Sequence, residues 1–89
     1  MKQISRTGQF KRDVKRIVQA GKNVEKLKEM IEKIAGGESL DEKHRDHFLM
    51  GTYKGMRECH IEPDWLLIYK RTKDELILIR TGSHSELFR

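Results

Sequence analysis

All four histidines of this 89-residue chain, His44, His47, His60 and His84, lie in its C-terminal half, and three positions they occupy are places where elements meet: a loop, a strand end beside a turn, and the segment after the last strand. Histidine, with an unperturbed pKa near ~6.5, takes or gives a proton at neutral pH, a role typically worth about 10²- to 10⁴-fold in rate. Two such groups are what metal-free RNA cleavage needs. The ribose 2′-hydroxyl loses a proton as it attacks the neighbouring phosphate, the 5′-oxygen gains one as it leaves, and the intermediate carries extra negative charge. Arg80 offers a fixed cation for that charge. Trp65 or another nearby aromatic ring can stack on a base.

Each of these residues also has a plainer role. A histidine in a polar loop is ordinarily solvent-exposed, and His44 is read that way. Trp65 opens an apolar strand and equally suits the core. Arg80 equally suits an ion pair with Asp64 or Glu62, and Phe88 a terminal residue tucked into the sheet. Metal binding is the weaker alternative: His44-x2-His47 and Cys59-His60 supply ligands, but neighbours on a strand point to opposite faces, so Cys59 and His60 cannot readily share an ion. No metal or other cofactor is expected.

The elements that must position these residues follow from periodicity. Met1 to Ser5 alternates in the manner of a short edge strand. From Thr7 or Gly8, the residues Phe10, Val14, Ile17 and Val18 fall on one helical face, and Gly21 closes that helix. Asn23 caps a second helix whose stripe is Val24, Leu27, Met30, Ile31 and Ile34, stopped by Gly36-Gly37. So short a link makes the pair an antiparallel hairpin. Glu38 to His47 is an ordered loop with a helical turn. Met56 to Ile61 then alternates, Glu62-Pro63-Asp64 turns, Trp65 to Lys70 is an apolar strand, Thr72-Lys73-Asp74 turns again, and Leu76 to Arg80 runs until Gly82. The expected fold is a single α+β domain over residues 1–89, a helix hairpin packed on a small antiparallel sheet made of the short N-terminal strand and a three-strand C-terminal meander. A tight turn after Lys70 gathers His60, Asp64, Trp65, Arg80 and His84 at one end of that sheet.

Size and composition bound the rest. A domain this small buries roughly two thirds of its unfolded surface. Its apolar content of 36%, with six aromatics, fills one helical layer on one sheet and leaves no large internal cavity, so an active site must be a surface groove. The single Cys59 excludes an internal disulfide, Met1 to Arg6 lacks the apolar core of a secretory signal, and the longest apolar runs fall far short of the roughly 20 residues of a membrane helix. A soluble cytoplasmic protein with no membrane partner is expected. The net charge of +5 is concentrated in residues 1–33, which carry ten Lys/Arg against four Asp/Glu. That balance suits RNA, and equally an acidic protein partner.

The segment Lys54-Gly55-Met56-Arg57-Glu58-Cys59-His60-Ile61-Glu62-Pro63-Asp64-Trp65-Leu66-Leu67-Ile68-Tyr69 resembles the YafQ-like branch of the RelE/ParE toxin superfamily, in which an arginine, a histidine and a Pro-Asp-Trp turn lead into an apolar strand ending in tyrosine. Asp46-His47 with Leu49 and Gly51, the terminal Arg80-Thr81-Gly82-Ser83-His84-Ser85-Glu86-Leu87-Phe88, and Gly8-Gln9-Phe10-Lys11-Arg12-Asp13-Val14 are similar too, so the likeness covers essentially the whole chain. It implies a RelE-like fold and an mRNA interferase: a ribosome-dependent, metal-independent endoribonuclease that cuts mRNA in the ribosomal A site and is silenced by a cognate antitoxin. It also assigns His47, His60, Asp64, His84 and Phe88 to the active site, with Trp65 beside them. Within that set His60 and His84 are the expected proton-transfer pair. Asp64 orients a histidine or itself accepts a proton, His47 contacts the phosphate or shares the acid–base work, and Phe88 stacks on a base or buttresses His84. Arg80 and Lys54 join them as substrate-binding cations on charge and placement alone. A ParE-like gyrase poison of the same fold would not need the histidines, and a non-catalytic RNA- or ribosome-binding module would need only the basic hairpin.

Overall fold

Two short polar side chains start the helix hairpin in the computed structural model, which describes residues 2–88. Thr7 Oγ1 accepts the Phe10 N–H at 2.9 Å and opens α1 (Gly8–Gln19); Asn23 Oδ1 accepts the Glu25 N–H at 3.0 Å and opens α2 (Val24–Ala35). Each cap satisfies a first-turn N–H that has no partner inside its helix, typically worth ~1 kcal/mol. Between the helices Gly21 adopts φ +82°, a left-handed conformation open to glycine, and reverses the chain.

Five strands form one sheet: β1 (Gln3–Arg6), β2 (His47–Phe48), β3 (Arg57–Glu62), β4 (Trp65–Arg71) and β5 (Glu75–Gly82), in the order β1-β5-β4-β3-β2. The meander β3-β4-β5 is as expected, and β1 is an edge strand, although Met1 lies outside the described residues. Two features differ. β1 pairs parallel with β5, because the helix hairpin carries the chain away from that edge before it returns, so the sheet is mixed and not wholly antiparallel. The segment read as a loop contains its helical turn, at Glu42–His44, but His47 already belongs to β2, which pairs antiparallel with Glu58 and Arg57 at the opposite edge. A short α3 (His84–Leu87) follows β5, opened by a capping box in which Ser83 Oγ accepts the Glu86 N–H and Glu86 Oε1 accepts the Ser83 N–H.

Strand alternation divides the sheet into two faces. Trp65, Leu67, Tyr69 and Leu78 pack with Phe10, Ile17, Met30 and Ile34 under the helices, where α1 lies over β5 and α2 over β3. Leu66 and Ile68 face the other way, covered by Leu87, Leu49, Tyr53 and Met56. Val18, expected in the apolar stripe of α1, is 52% exposed. The inward position belongs instead to Asp13, which is fully buried; it stands three residues after Phe10 and four before Ile17, on the same face.

The Asp13 carboxylate accepts hydrogen bonds from Gln9 (3.0 Å), Arg16 Nη1 (2.8 Å), Arg80 Nε (2.7 Å) and Nη2 (3.2 Å), and the Thr81 N–H (3.1 Å). Burial alone would raise its pKa, but the bonds from Arg80, Arg16, Gln9 and the Thr81 backbone outweigh it and hold the carboxyl below its ordinary value. Removing one partner of such a buried network leaves uncompensated charge, so Asp13→Ala should cost ~3–5 kcal/mol in urea unfolding. Because the folded-state pKa is depressed, the stabilisation is complete above the unfolded value of ~3.9 and is lost as pH falls through the folded one. The urea midpoint of the wild type should therefore fall between pH 7 and pH 3 more steeply than that of Asp13→Asn; equal slopes would remove Asp13 from this role.

Candidate active site

On β3 the alternation sends Arg57, Cys59 and Ile61 toward the helices and Glu58 and His60 to the opposite face. Cys59 is enclosed there, and burial, followed by the charges of Asp46 and Glu58, pushes its thiol up to about 12, which leaves it inert. His60, 7% exposed, sets Nε2 3.1 Å from Glu58 Oε1 and Nδ1 3.3 Å from the Pro63 carbonyl oxygen. Both partners are acceptors, so either ring nitrogen of His60 can donate a hydrogen bond to the protein. His47, directly across from Glu58 in the β2–β3 pairing, places Nε2 3.9 Å from the same oxygen, while its Nδ1–H donates to the Arg45 carbonyl.

The second half of the site comes from α3 and the β3–β4 turn. Asp64 Oδ1 accepts both the backbone N–H and the Nδ1–H of His84, each at 3.0 Å. Those two bonds, the backbone one first, hold the Asp64 carboxyl below its ordinary value, so it orients the ring as a carboxylate. His84 Nε2 keeps no protein partner among the described residues. The His60 and His84 rings lie 5.5 Å apart between centroids, and His84 lies 6.2 Å from Phe88, whose edge meets Tyr53 at 5.7 Å and 85°. Tyr53 also donates to the Leu87 carbonyl at 3.3 Å. Asp46, which accepts from Tyr69 (2.6 Å) and Arg57 (3.1 Å), ties the start of β2 to the sheet.

Of the residues expected from sequence, His60, Asp64, His84 and Phe88 come together, and His47 joins them through Glu58. Trp65 does not. Its side chain is wholly buried beneath the helices, with its indole N–H on Thr81 Oγ1 at 3.0 Å, so it cannot offer a face to a base. The strand begins with its side chain on the helix side, and the plainer reading of Trp65 as core is the correct one. Arg80 is also not a strand-end cation near Trp65 or paired with Asp64 or Glu62. It stands across from Ile68, is held by both oxygens of Asp13, and adjoins Tyr53 on its other side. Lys54 is exposed just after Tyr53, with no ion pair among the described residues. His44 is not simply solvated, since its Nδ1–H donates to the His60 carbonyl at 2.7 Å. The sequence reading missed Glu58, although its i, i+2 spacing from His60 on a strand places both on one face. It also missed Tyr53, whose role arises only when α3 folds back.

Glu58, His60 and His84 each bring a ligand atom within 4.8 Å of the others. This set differs from the His44-x2-His47 and Cys59-His60 pairs weighed in the sequence, and one carboxylate with two imidazoles suits a borderline-soft divalent ion.

The chain matches, over residues 2–89, the sequence family described as the bacterial toxin of type II toxin–antitoxin systems, YafQ. The mRNA interferase toxin YafQ of Escherichia coli K12 is 41% identical over 86 residues, 96% of this chain and 94% of that protein. Among solved structures, the toxin in the E. coli DinJ-YafQ toxin-antitoxin complex is 39% identical with a TM-score of 0.91, covering 99% of this chain and 98% of that one. A metal-bound toxin from Helicobacter pylori is 40% identical with a TM-score of 0.92, covering 99% and 100%.

The two faces separate two ways of losing activity. His84→Ala changes an exposed side chain and should leave stability within ~0.5 kcal/mol of wild type, whereas Trp65→Ala empties a core site and should cost ~3–5 kcal/mol. Thermal unfolding of both variants tests this, and a large loss for His84→Ala would mean that α3 is structural.

Proposed function

We propose a function on the premise that this chain belongs to the YafQ family of bacterial toxins of type II toxin–antitoxin systems, matched across residues 2–89. It is an mRNA interferase, an endoribonuclease, as its E. coli relative is named. Its cleavage is ribosome-dependent and acts on mRNA in the A site, and a cognate antitoxin silences it, as DinJ partners YafQ in the E. coli complex. None of the described helices is long and apolar enough to cross a membrane.

The observation that carries the chemistry is the pair of imidazoles 5.5 Å apart with different partners. His84 donates Nδ1–H to Asp64, so its Nε2 carries a lone pair and takes the proton of the 2′-hydroxyl as that oxygen attacks phosphorus. His60, with acceptors at both nitrogens, gives a proton to the 5′-oxygen as the P–O5′ bond breaks. The products are a 2′,3′-cyclic phosphate and a free 5′-hydroxyl. His47 lies close enough to share the phosphate, and Lys54 adds positive charge at its margin, whereas the Arg80 guanidinium is taken up by Asp13. Phe88, 42% exposed and steadied by Tyr53, is the ring available to stack on a base. His84 and Asp64 have side chains 55% and 69% exposed, an open face that cannot fix RNA unaided. A ribosome that holds the message in line supplies that positioning, an effect worth up to ~7–11 kcal/mol for the best-oriented reactions. An ion held by Glu58, His60 and His84 would polarise a bound oxygen but would also tie up the imidazoles that move protons here.

Expression of wild type and His84→Ala in a bacterial host, with 5′ ends mapped on translated and untranslated forms of one transcript, tests the reading. Cuts should appear only on the translated message and fall at least ~100-fold in the variant. Growth arrest by both proteins without cuts would point to a gyrase-type target. In a purified translation system the 5′-hydroxyl product should persist after transition metals are chelated at constant Mg²⁺, and its loss on chelation would assign the trio a bound ion.

A further inference from the structure

We infer that Glu62 is a positioning residue for the cleavage reaction: its ion pairs to the helix hairpin fix the turn whose next two residues, Pro63 and Asp64, hold the rings of His60 and His84. The inference rests on the endonuclease reading above and names a residue that is bonded to neither ring.

Strict alternation along β3 from Glu58 and His60 would send Glu62 out on the active-site face. The pairing with β4 instead shifts register between His60 and Glu62, so that His60 stands across from Leu66 and Glu62 across from Trp65. Residues directly opposite share a face, and a bulge of this kind re-aims one side chain. Glu62 therefore turns to the helix side, where two lysines meet its carboxylate. Oε1 lies 3.5 Å from Lys22 Nζ, in the link between α1 and α2, and Oε2 lies 2.8 Å from Lys26 Nζ, in the first turn of α2. Lys22 Nζ also stands 5.7 Å from the centroid of the Trp65 ring, which is wholly buried. Both residues that close the turn are thus tied to the helical layer, Trp65 by burial and Glu62 by charge.

The turn between them serves both rings through the same nitrogen. His60 Nδ1 lies 3.3 Å from the Pro63 carbonyl oxygen, and His84 Nδ1 lies 3.0 Å from Asp64 Oδ1, which also accepts the His84 backbone N–H. The rings stand 5.5 Å apart, each resting on one of two consecutive residues. A shift of the turn carries both contact points with it, and a misplacement of about 1 Å at the reacting groups can cost ~100-fold in rate. The ion pairs themselves are partly exposed and add little to stability. Activity lost without stability is therefore the signature of this role.

The test compares full-length wild type with Glu62→Gln, which keeps the size of the side chain and removes its charge. On ribosomes programmed with a translated message, the single-turnover cleavage rate at saturating toxin should fall about 10-fold, with the half-saturating toxin concentration and the thermal midpoint unchanged. Lys26→Glu should be slow as well, and the charge-exchanged variant Lys26→Glu/Glu62→Lys should recover most of the rate. In the free protein, the imidazole nitrogen resonances of His60 and His84 should both move in Glu62→Gln. A wild-type rate in Glu62→Gln, unmoved ring resonances, or no recovery in the exchanged pair would overturn the inference. A raised half-saturating concentration at an unchanged saturating rate would assign Glu62 and its lysines to ribosome binding instead, and a lowered thermal midpoint would make their role structural. Failure of the wild type to cut mRNA would sink the enzymatic reading, whereas the ring resonances would still decide whether Glu62 sets the turn.

Discussion

The buried carboxylate of Asp13 is the interaction on which the geometry of this small protein turns. Few carboxylates are fully enclosed, because desolvation of the charge costs several kcal/mol unless strong partners offset it. Here the partners come from two layers: Gln9 and Arg16 on α1, and the Arg80 guanidinium and the backbone N–H of Thr81 on β5. Arg16 passes the connection onward. Its Nη2 donates to the Thr81 carbonyl at 2.9 Å and its Nε lies 2.6 Å from Glu86 Oε2, a charge attraction in which the N–H direction misses the oxygen. Glu86 in turn caps Ser83, the residue before His84. A side chain under the helices thus fixes where α3 starts and, with it, where the His84 imidazole stands.

That arrangement needs Gly82 at the crossing point. A Cβ there would lie 2.5 Å from Arg16 Nη2 and 2.9 Å from Glu86 Oε1, inside both partners of the ion pair. The sheet then does the remaining separation. One set of alternating positions on β3 and β4 builds the apolar layer under the helices, and the other carries Glu58 and His60 outward beside Leu66 and Ile68. An 89-residue chain can hold a core and a reactive surface only because consecutive residues serve opposite faces, which is also why Cys59 and Trp65 stay inert beside His60 and Asp64.

What was legible in the sequence was whatever depends on local periodicity and capping. Thr7, Asn23, the stripe of α2 and the Glu62-Pro63-Asp64 turn announce themselves within a few residues. The convergence of His60, Asp64 and His84 followed from meander topology, since a short turn must bring a strand's end beside its neighbour's start. What escaped depends on long-range partners. Arg80 finds Asp13 sixty-seven residues away, a pairing no spacing rule contains, and Asp13 itself was hidden by the habit of reading an acid as solvent-facing even on an apolar stripe. The face Trp65 takes is set by strand phase relative to the helices, which alternation alone leaves open. Ser83-x-x-Glu86 did signal a helix start, yet a four-residue helix lacks the periodicity that would draw attention to it.

The different partners of the histidines give chemically identical rings distinct surroundings. The His84 ring is bonded to one carboxylate through Nδ1 and leaves Nε2 open, whereas the His60 ring is set between a carboxylate and a carbonyl. His47 is held from a third direction, by the carbonyl of a strained arginine on the Glu42–Arg45 segment.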